Sequence, residues 1–166
     1  MNNPDNHAAR KGLYLLLLVA REEITLRLGT RSLVLRPGAY TYIGSACGPG
    51  GLSARVARHL CGQRRRIHWH IDRLIEAGLE PVLAVTIPSE KLCREKAEPL
   101  LALATSATRA TTPVPGKIGS TDDKLAETHL YRLNSKDPQR TLETIASSMP
   151  STPQTITRKQ LCKTTH

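Results

Sequence analysis

The stretch GLYLLLLVA, Gly12 to Ala20, contains no charged residue and no polar alternation. A segment apolar at every position has no face to offer water, so it reads as a strand buried on both sides and central in its sheet. Arg10 and Lys11 ahead of this run also give it the outline of a secretory signal. Two features oppose that outline. No small-x-small cleavage pattern comes after it, because Leu18 precedes Val19 and Ala20, and the run is too short to cross a bilayer.

Turn signals divide the next stretch of chain. ITLRL and SLVLR flank Gly29-Thr30-Arg31 and read as a β-hairpin. After the Pro37-Gly38 turn, AYTYIGS reads as the third strand of a meander. A helix then starts near Leu52 or Ser53. Leu52, Val56 and Leu60 recur on one face of it, Arg55, Arg58 and His59 share the other, and Gly62 stops it. A second helix covers Ile67 to Ala77 and ends at Gly78. PVLAVTIP is a further strand, and Ser89 is placed to cap a helix running through Leu92, Glu95, Leu100 and Leu103. Pro99 must kink that helix or split it in two. A long loop, Thr105 to Leu125, leads to the short strand HLYRL.

At 166 residues the chain reads as one domain, 11–133, large enough to bury a core without staples. Residues 1–10 are polar and read as disordered. Residues 134–166 are rich in Ser, Thr, Pro and Gln, with five basic residues against two acidic ones, and read as a disordered basic tail. The expected fold class is α+β (mixed α/β), a small, mostly antiparallel central sheet flanked by about three helices.

The charge is lopsided: 24 Lys and Arg against 14 Asp and Glu, a formal net charge of +10. That favours polyanions, nucleic acid ahead of anionic membrane surfaces, and binding that falls steeply with salt. Cys47, Cys61, Cys93 and Cys162 show no C-x-x-C spacing and read as reduced thiols of a cytoplasmic protein, neither disulfides nor a zinc site.

Three motifs in fixed order narrow the chemistry: GLY at Gly12–Tyr14, YIGSA beginning at Tyr42, and R-x-x-R-H at Arg55–His59. In combination they resemble the GIY-YIG nuclease superfamily. The chain is most similar to a small prokaryotic branch of unassigned function within it, which shares the Gly-Leu-x-x-R-x-x-R-H helix, HWHID at His68–Asp72, and a late block from Pro113 to Tyr131. The likeness spans residues 11–133. It departs from the branch where two cysteines usually lie between its aspartate and the His-Leu-Tyr strand, since Asp123 and Leu125 stand there instead.

The resemblance implies a metal-dependent DNA endonuclease, using Mg²⁺ or Mn²⁺. In it Tyr14 is the base or water-orienting phenol and Tyr42 its partner, while Arg55 grips the scissile phosphate. Arg58 and His59 assist as phosphate contact and proton carrier. The chemistry agrees, because a guanidinium fork fits phosphate oxygens and one carboxylate can hold a divalent ion that neutralises charge. For that carboxylate the region offers Glu90, Glu95 and Glu98, with Glu95 preferred for lying one turn before Pro99. Arg64, Arg65 and Arg66, with His68, would contact the nucleic-acid backbone. In HWHID, Trp69 and His70 read as packing, while His68 and Asp72, four apart on a helix, could pair or share a metal. Asp122 and His129 are secondary candidates, and Tyr40 reads as packing or rim. The rival readings are a non-catalytic nucleic-acid-binding module of the same fold and, more distantly, a basic protein of anionic membrane surfaces.

Overall fold

The computed structural model describes residues 10–62, 70–116, 118 and 128–162. The N-terminal segment read as disordered lies outside them except for Arg10.

The apolar run is strand β1, Gly12–Ala20. It is followed by β2, Ile24–Leu28, and β3, Arg31–Leu35, then by β4, Gly38–Ala46. Helix α1 spans Gly51–Leu60 and α2 spans His70–Glu76. Strand β5 is Glu80–Pro88, and the next helical region divides into α3, Glu90–Arg94, and α4, Glu98–Ser106. Then come β6, Thr111–Pro113, and β7, Leu130–Leu133. Helix α5, Pro138–Ser147, strand β8, Gln154–Thr157, and helix α6, Arg158–Leu161, complete the order.

The main sheet is six-stranded, in the order β6-β7-β4-β1-β5-β8, and every pairing in it is antiparallel. The α+β class holds. Strand β1 sits inside the sheet between β4 and β5, as its lack of a polar face requires. The meander is corrected in one respect: β2 and β3 leave as a separate two-stranded sheet, and β4 returns to pair with β1.

Period-2 alternation sorts β1 onto two cores. Tyr14, Leu16 and Leu18 join Tyr42, Leu52, Val56, Leu60, Ile71 and Leu74 on the face covered by α1, α2 and the β2–β3 hairpin. Leu13, Leu15 and Leu17 join Ile43, Val85, Leu92, Leu101, Leu142 and Ile145 on the face covered by α3, α4 and α5. Each fully buried leucine contributes about 1.5–3 kcal/mol relative to exposure.

Residues 134–162 are not a disordered tail. Asp137 caps α5 by accepting from the Arg140 N–H at 3.2 Å, with Pro138 in the first turn. Leu142, Ile145 and Ala146 bury one stripe of α5 against the sheet, and Met149, just past its end, joins the same cluster. Strand β8 then pairs with β5, and α6 is closed by a Thr157–Gln160 capping box. The apolar stripe supplies the burial that polar composition concealed.

The cysteines are a second correction. Cys47 is bonded to Cys93 and Cys61 to Cys162, with Cα–Cα distances of 5.6 and 5.4 Å. The partners lie 46 and 101 residues apart, so local spacing carries no trace of the pairing. Closing loops of that length contributes about 4–5 kcal/mol each by the chain-entropy account. The thiol argument for a cytoplasmic setting falls with this finding. Among the described residues no helix is long and apolar enough to cross a membrane.

The integration of α5 has a direct test. Leu142→Ala should cost about 2–5 kcal/mol in urea unfolding, the range of a core leucine. A segment outside the cooperative unit would leave the midpoint unchanged.

Candidate active site

The two motif glycines are fixed by packing. A Cβ on Gly12 would overlap the Ile87 carbonyl of β5. One on Gly44 would enter the ring of Tyr14, lying only 2.8 Å from its Cε1. Tyr14 and Gly44 are register partners across β1 and β4, so the bare glycine backbone is the floor on which the phenol ring rests. Tyr42 is opposite Leu16, two positions along and on the same face.

The turn from β4 into α1 runs through Gly50 and Gly51 at φ +86° and +60°, left-handed angles that glycine adopts freely. The turn brings α1 back over the end of β1, and the Leu52 N–H bonds to the Arg10 carbonyl at 2.8 Å. Helix α1 then delivers His59 to Tyr14. The phenol oxygen and His59 Nε2 are 2.9 Å apart, with ring centroids at 5.6 Å and planes tilted by 46°. Both residues are buried, His59 completely.

Arg55 and Arg58, one turn apart on α1, line a cavity of about 150 Å³ with Ala46, Gly48, Pro49, Gly51 and Ala54. The cavity therefore combines the glycine-rich turn with two arginines, a residue type whose guanidinium fork can donate to phosphate oxygens. Arg58 is held by Asp72 of α2 in an ion pair of 2.7 Å, and the carboxylate is wholly buried. The sequence shows Asp72 only as a neighbour of His68. Its partnership with Arg58 depends on how α2 packs on α1, which no local spacing encodes.

Both phenols are held neutral. Burial drives the pKa of Tyr14 far above the ordinary phenol value, the neighbouring Tyr42 adds to the rise, and Arg55 opposes it. Burial does the same to Tyr42, with Glu98 next and Arg55 again opposing. The charges of Arg55, Glu98 and Asp72 are thus all felt at both hydroxyls.

The carboxylate preferred from the sequence is displaced from this centre. Glu95 is the C-cap of α3, half exposed, and lies 3.8 Å from Lys91. Glu90 is exposed in the first turn of α3. Glu98, which opens α4, is the glutamate of the three whose charge reaches the tyrosines. The reason is the break: Lys96 takes φ +51°, so the helix does not continue and the face extrapolated from Leu92 is lost. Glu98 is three-quarters buried and meets His129 Nδ1 at 3.0 Å, which raises His129 from its secondary rank. Among the described residues no three His, Cys, Asp or Glu side chains converge as a metal cluster.

Arg64, Arg65, Arg66, His68, Trp69 and Asp122 lie outside the described residues. His70 is half-buried at the start of α2. Tyr40 shares the face of Tyr42 but belongs to the frame. Its hydroxyl donates to the Arg36 carbonyl at 2.6 Å, and Arg132 lies over its ring, 5.8 Å from the centroid.

This geometry has two measurable consequences. Gly44→Ala should destabilise the fold by about 1–3 kcal/mol by overpacking, and most of that cost should vanish in a Tyr14→Ala background, measured as a double-mutant cycle in urea. The raised phenols also predict alkaline instability. The native state keeps protons that the unfolded chain loses above the ordinary value of 10.0. Stability should therefore be level with respect to these groups below about pH 9 and fall above pH 10, by about 1.4 kcal/mol per pH unit for each tyrosine. Tyr42→Phe should shallow that slope.

No curated protein and no solved structure matches the chain. A family model does, over residues 13–151, which takes in both tyrosine strands, α1, the Glu98–His129 pair and the whole of α5. The chain belongs to the family described as Domain of unknown function DUF123.

Proposed function

We propose that the protein is a metal-dependent endonuclease of GIY-YIG type that hydrolyses DNA phosphodiester bonds. The observation that carries this reading is a pair of buried phenols on one sheet face, at both of which the charges of Arg55 and Glu98 are felt. The net charge of +10 suits a polyanionic substrate.

In this mechanism the scissile phosphate enters the cavity lined by Arg55 and Arg58, whose charges neutralise its oxygens. Tyr14 acts as a neutral phenol, because burial makes the phenolate costly. It orients the attacking water, and as that water gives a proton to the phenol oxygen, the phenol proton passes to His59 Nε2. Asp72 holds Arg58 against the cavity wall. Glu98 would hold Mg²⁺ or Mn²⁺ in place of Glu95. A single carboxylate completed by water and phosphate oxygens suits Mg²⁺. The ion would supply charge neutralisation at the leaving oxygen.

One observation favours the second reading, a nucleic-acid-binding module without catalysis. Glu98 is already engaged by His129, and a carboxylate that never leaves its histidine holds no metal.

The two are separated with branched, nicked and linear DNA in Mg²⁺ or Mn²⁺. Arg55→Ala, Tyr14→Phe and Glu98→Gln should each lower kcat/KM by about 10²-fold or more, whereas Glu95→Gln should stay within about twofold. Binding without cleavage in the unaltered protein selects the module. Cleavage that survives both Arg55→Ala and Tyr14→Phe sinks the site.

A further inference from the structure

We propose that the Cys47–Cys93 pair is a redox modification site that controls how the cationic and acidic halves of the candidate active site are held together, with a soluble dithiol as co-reactant. Its effect on nucleic-acid binding rests on the proposed nuclease function. The chemistry of the pair does not.

The bond has an unusual place in the fold. Cys47 lies between Ala46 and Gly48, which with Pro49 line the cavity of Arg55 and Arg58. Cys93 lies in α3, five residues before Glu98. One covalent link therefore runs from the turn that positions the arginines to the segment that positions the carboxylate.

Local restraints on both segments are limited. Helix α1 starts without a side-chain cap and without an acidic residue in its first turn, at two glycines in left-handed conformation. Helix α3 is capped by Ser89, which accepts from the Leu92 N–H at 3.1 Å, but it has only five residues and ends against the left-handed Lys96. A helix so short depends on tertiary restraints.

The second disulfide provides an internal contrast. Cys61 and Cys162 pack against the apolar cluster beneath α1. Cys47 and Cys93 belong to neither apolar cluster, and Cys47 is flanked in sequence by residues that line the arginine cavity. All four cysteines are half-buried, so the contrast lies in packing: opening Cys47–Cys93 leaves both apolar clusters intact, whereas Cys61–Cys162 is backed by the core and acts as the structural staple.

The exchange balances. A thiolate of the dithiol attacks one sulfur of the pair, the S–S bond breaks, and a mixed disulfide forms. The second thiol of the co-reactant then attacks its partner sulfur in the mixed disulfide and expels the protein cysteine held there. Cys47 and Cys93 leave as two thiols, having gained two electrons and two protons, and the dithiol becomes a disulfide. With the bond open, the turn into α1 opens locally and the arginine cavity loses its fixed wall, so affinity for a polyanion falls.

The test uses the full-length protein isolated without reductant and titrated with dithiothreitol. Thiols are trapped by alkylation and mapped by mass spectrometry, amide exchange is followed peptide by peptide, and affinity for a labelled DNA duplex is measured at fixed salt. Cys47 and Cys93 should become alkylated at lower reductant than Cys61 and Cys162. Exchange over residues 47–55 should rise about tenfold while β1 stays protected, and DNA affinity should fall about tenfold. Cys93→Ser should reproduce both changes without reductant. Four free thiols in the protein as isolated, prior reduction of Cys61–Cys162, unchanged exchange over 47–55, or exchange rising equally in β1 would each overturn the proposal. Equal DNA affinity in both redox states would overturn the coupling to the site. The expected exchange pattern with no DNA binding in either state leaves the redox site standing and removes the nucleic-acid reading.

Discussion

Strand β1 has no face for water, and most of the architecture results from covering it twice. Leu13, Leu15 and Leu17 require the layer made by α3, α4 and α5, while Leu16 and Leu18 require α1, α2 and the β2–β3 hairpin. Tyr14 occupies a position where alternation demands burial, so its phenol is desolvated with the leucines. A buried hydroxyl without a partner costs about 1–3 kcal/mol, and His59 supplies the partner. The candidate site is therefore built into the core. The contact that satisfies the phenol is also the one that would carry its proton.

That origin explains which parts of the molecule are legible in sequence. β1, the hairpin, α1 and the Ser89 cap are local facts, written in alternation, 3.6-residue spacing and single capping residues, and the structure agrees with each element. The exception within α1 is His59, expected on the face of Arg55 and Arg58 but wholly buried against Tyr14. The break at Pro99 is legible as well, and it resolves as two helices. Residues 134–162 mislead for a different reason. The Asp137-Pro138 start and the Leu142, Ile145, Ala146 and Met149 spacing are ordinary helix signals, but a polar composition masks that periodicity. The pairing of β8 with β5 and the two cysteine pairs belong to another class, since each joins residues far apart in the chain and leaves no local pattern.

The site divides along the same line. Tyr14, Tyr42 and Arg55 are legible because each is fixed by the period of its own element, and the charge of Arg55 is felt at both hydroxyls. Glu98 is legible only as one of three. Choosing among them requires the backbone at Lys96, whose left-handed turn resets the helical register. Asp72 reads without its arginine because the Arg58 contact is made between helices.

The ion pairs also constrain how such a site would fill. Arg58 is compensated by Asp72, and Glu98 lies 3.0 Å from His129 Nδ1. Without ligands, the Arg58–Asp72 pair thus keeps its charges matched in a poorly solvated setting, where a lone ion would be costly. A phosphate alone would bring excess negative charge near Glu98 and Asp72, and a divalent cation alone would bring positive charge toward Arg55. Arriving together, each offsets the field that opposes the other, so in the proposed nuclease the two ligands bind with positive coupling. His129 must release Glu98 for this to occur. The Glu98–His129 pair is therefore the point at which a catalytic member and a binding-only member of this fold would differ, even with identical tyrosines and arginines.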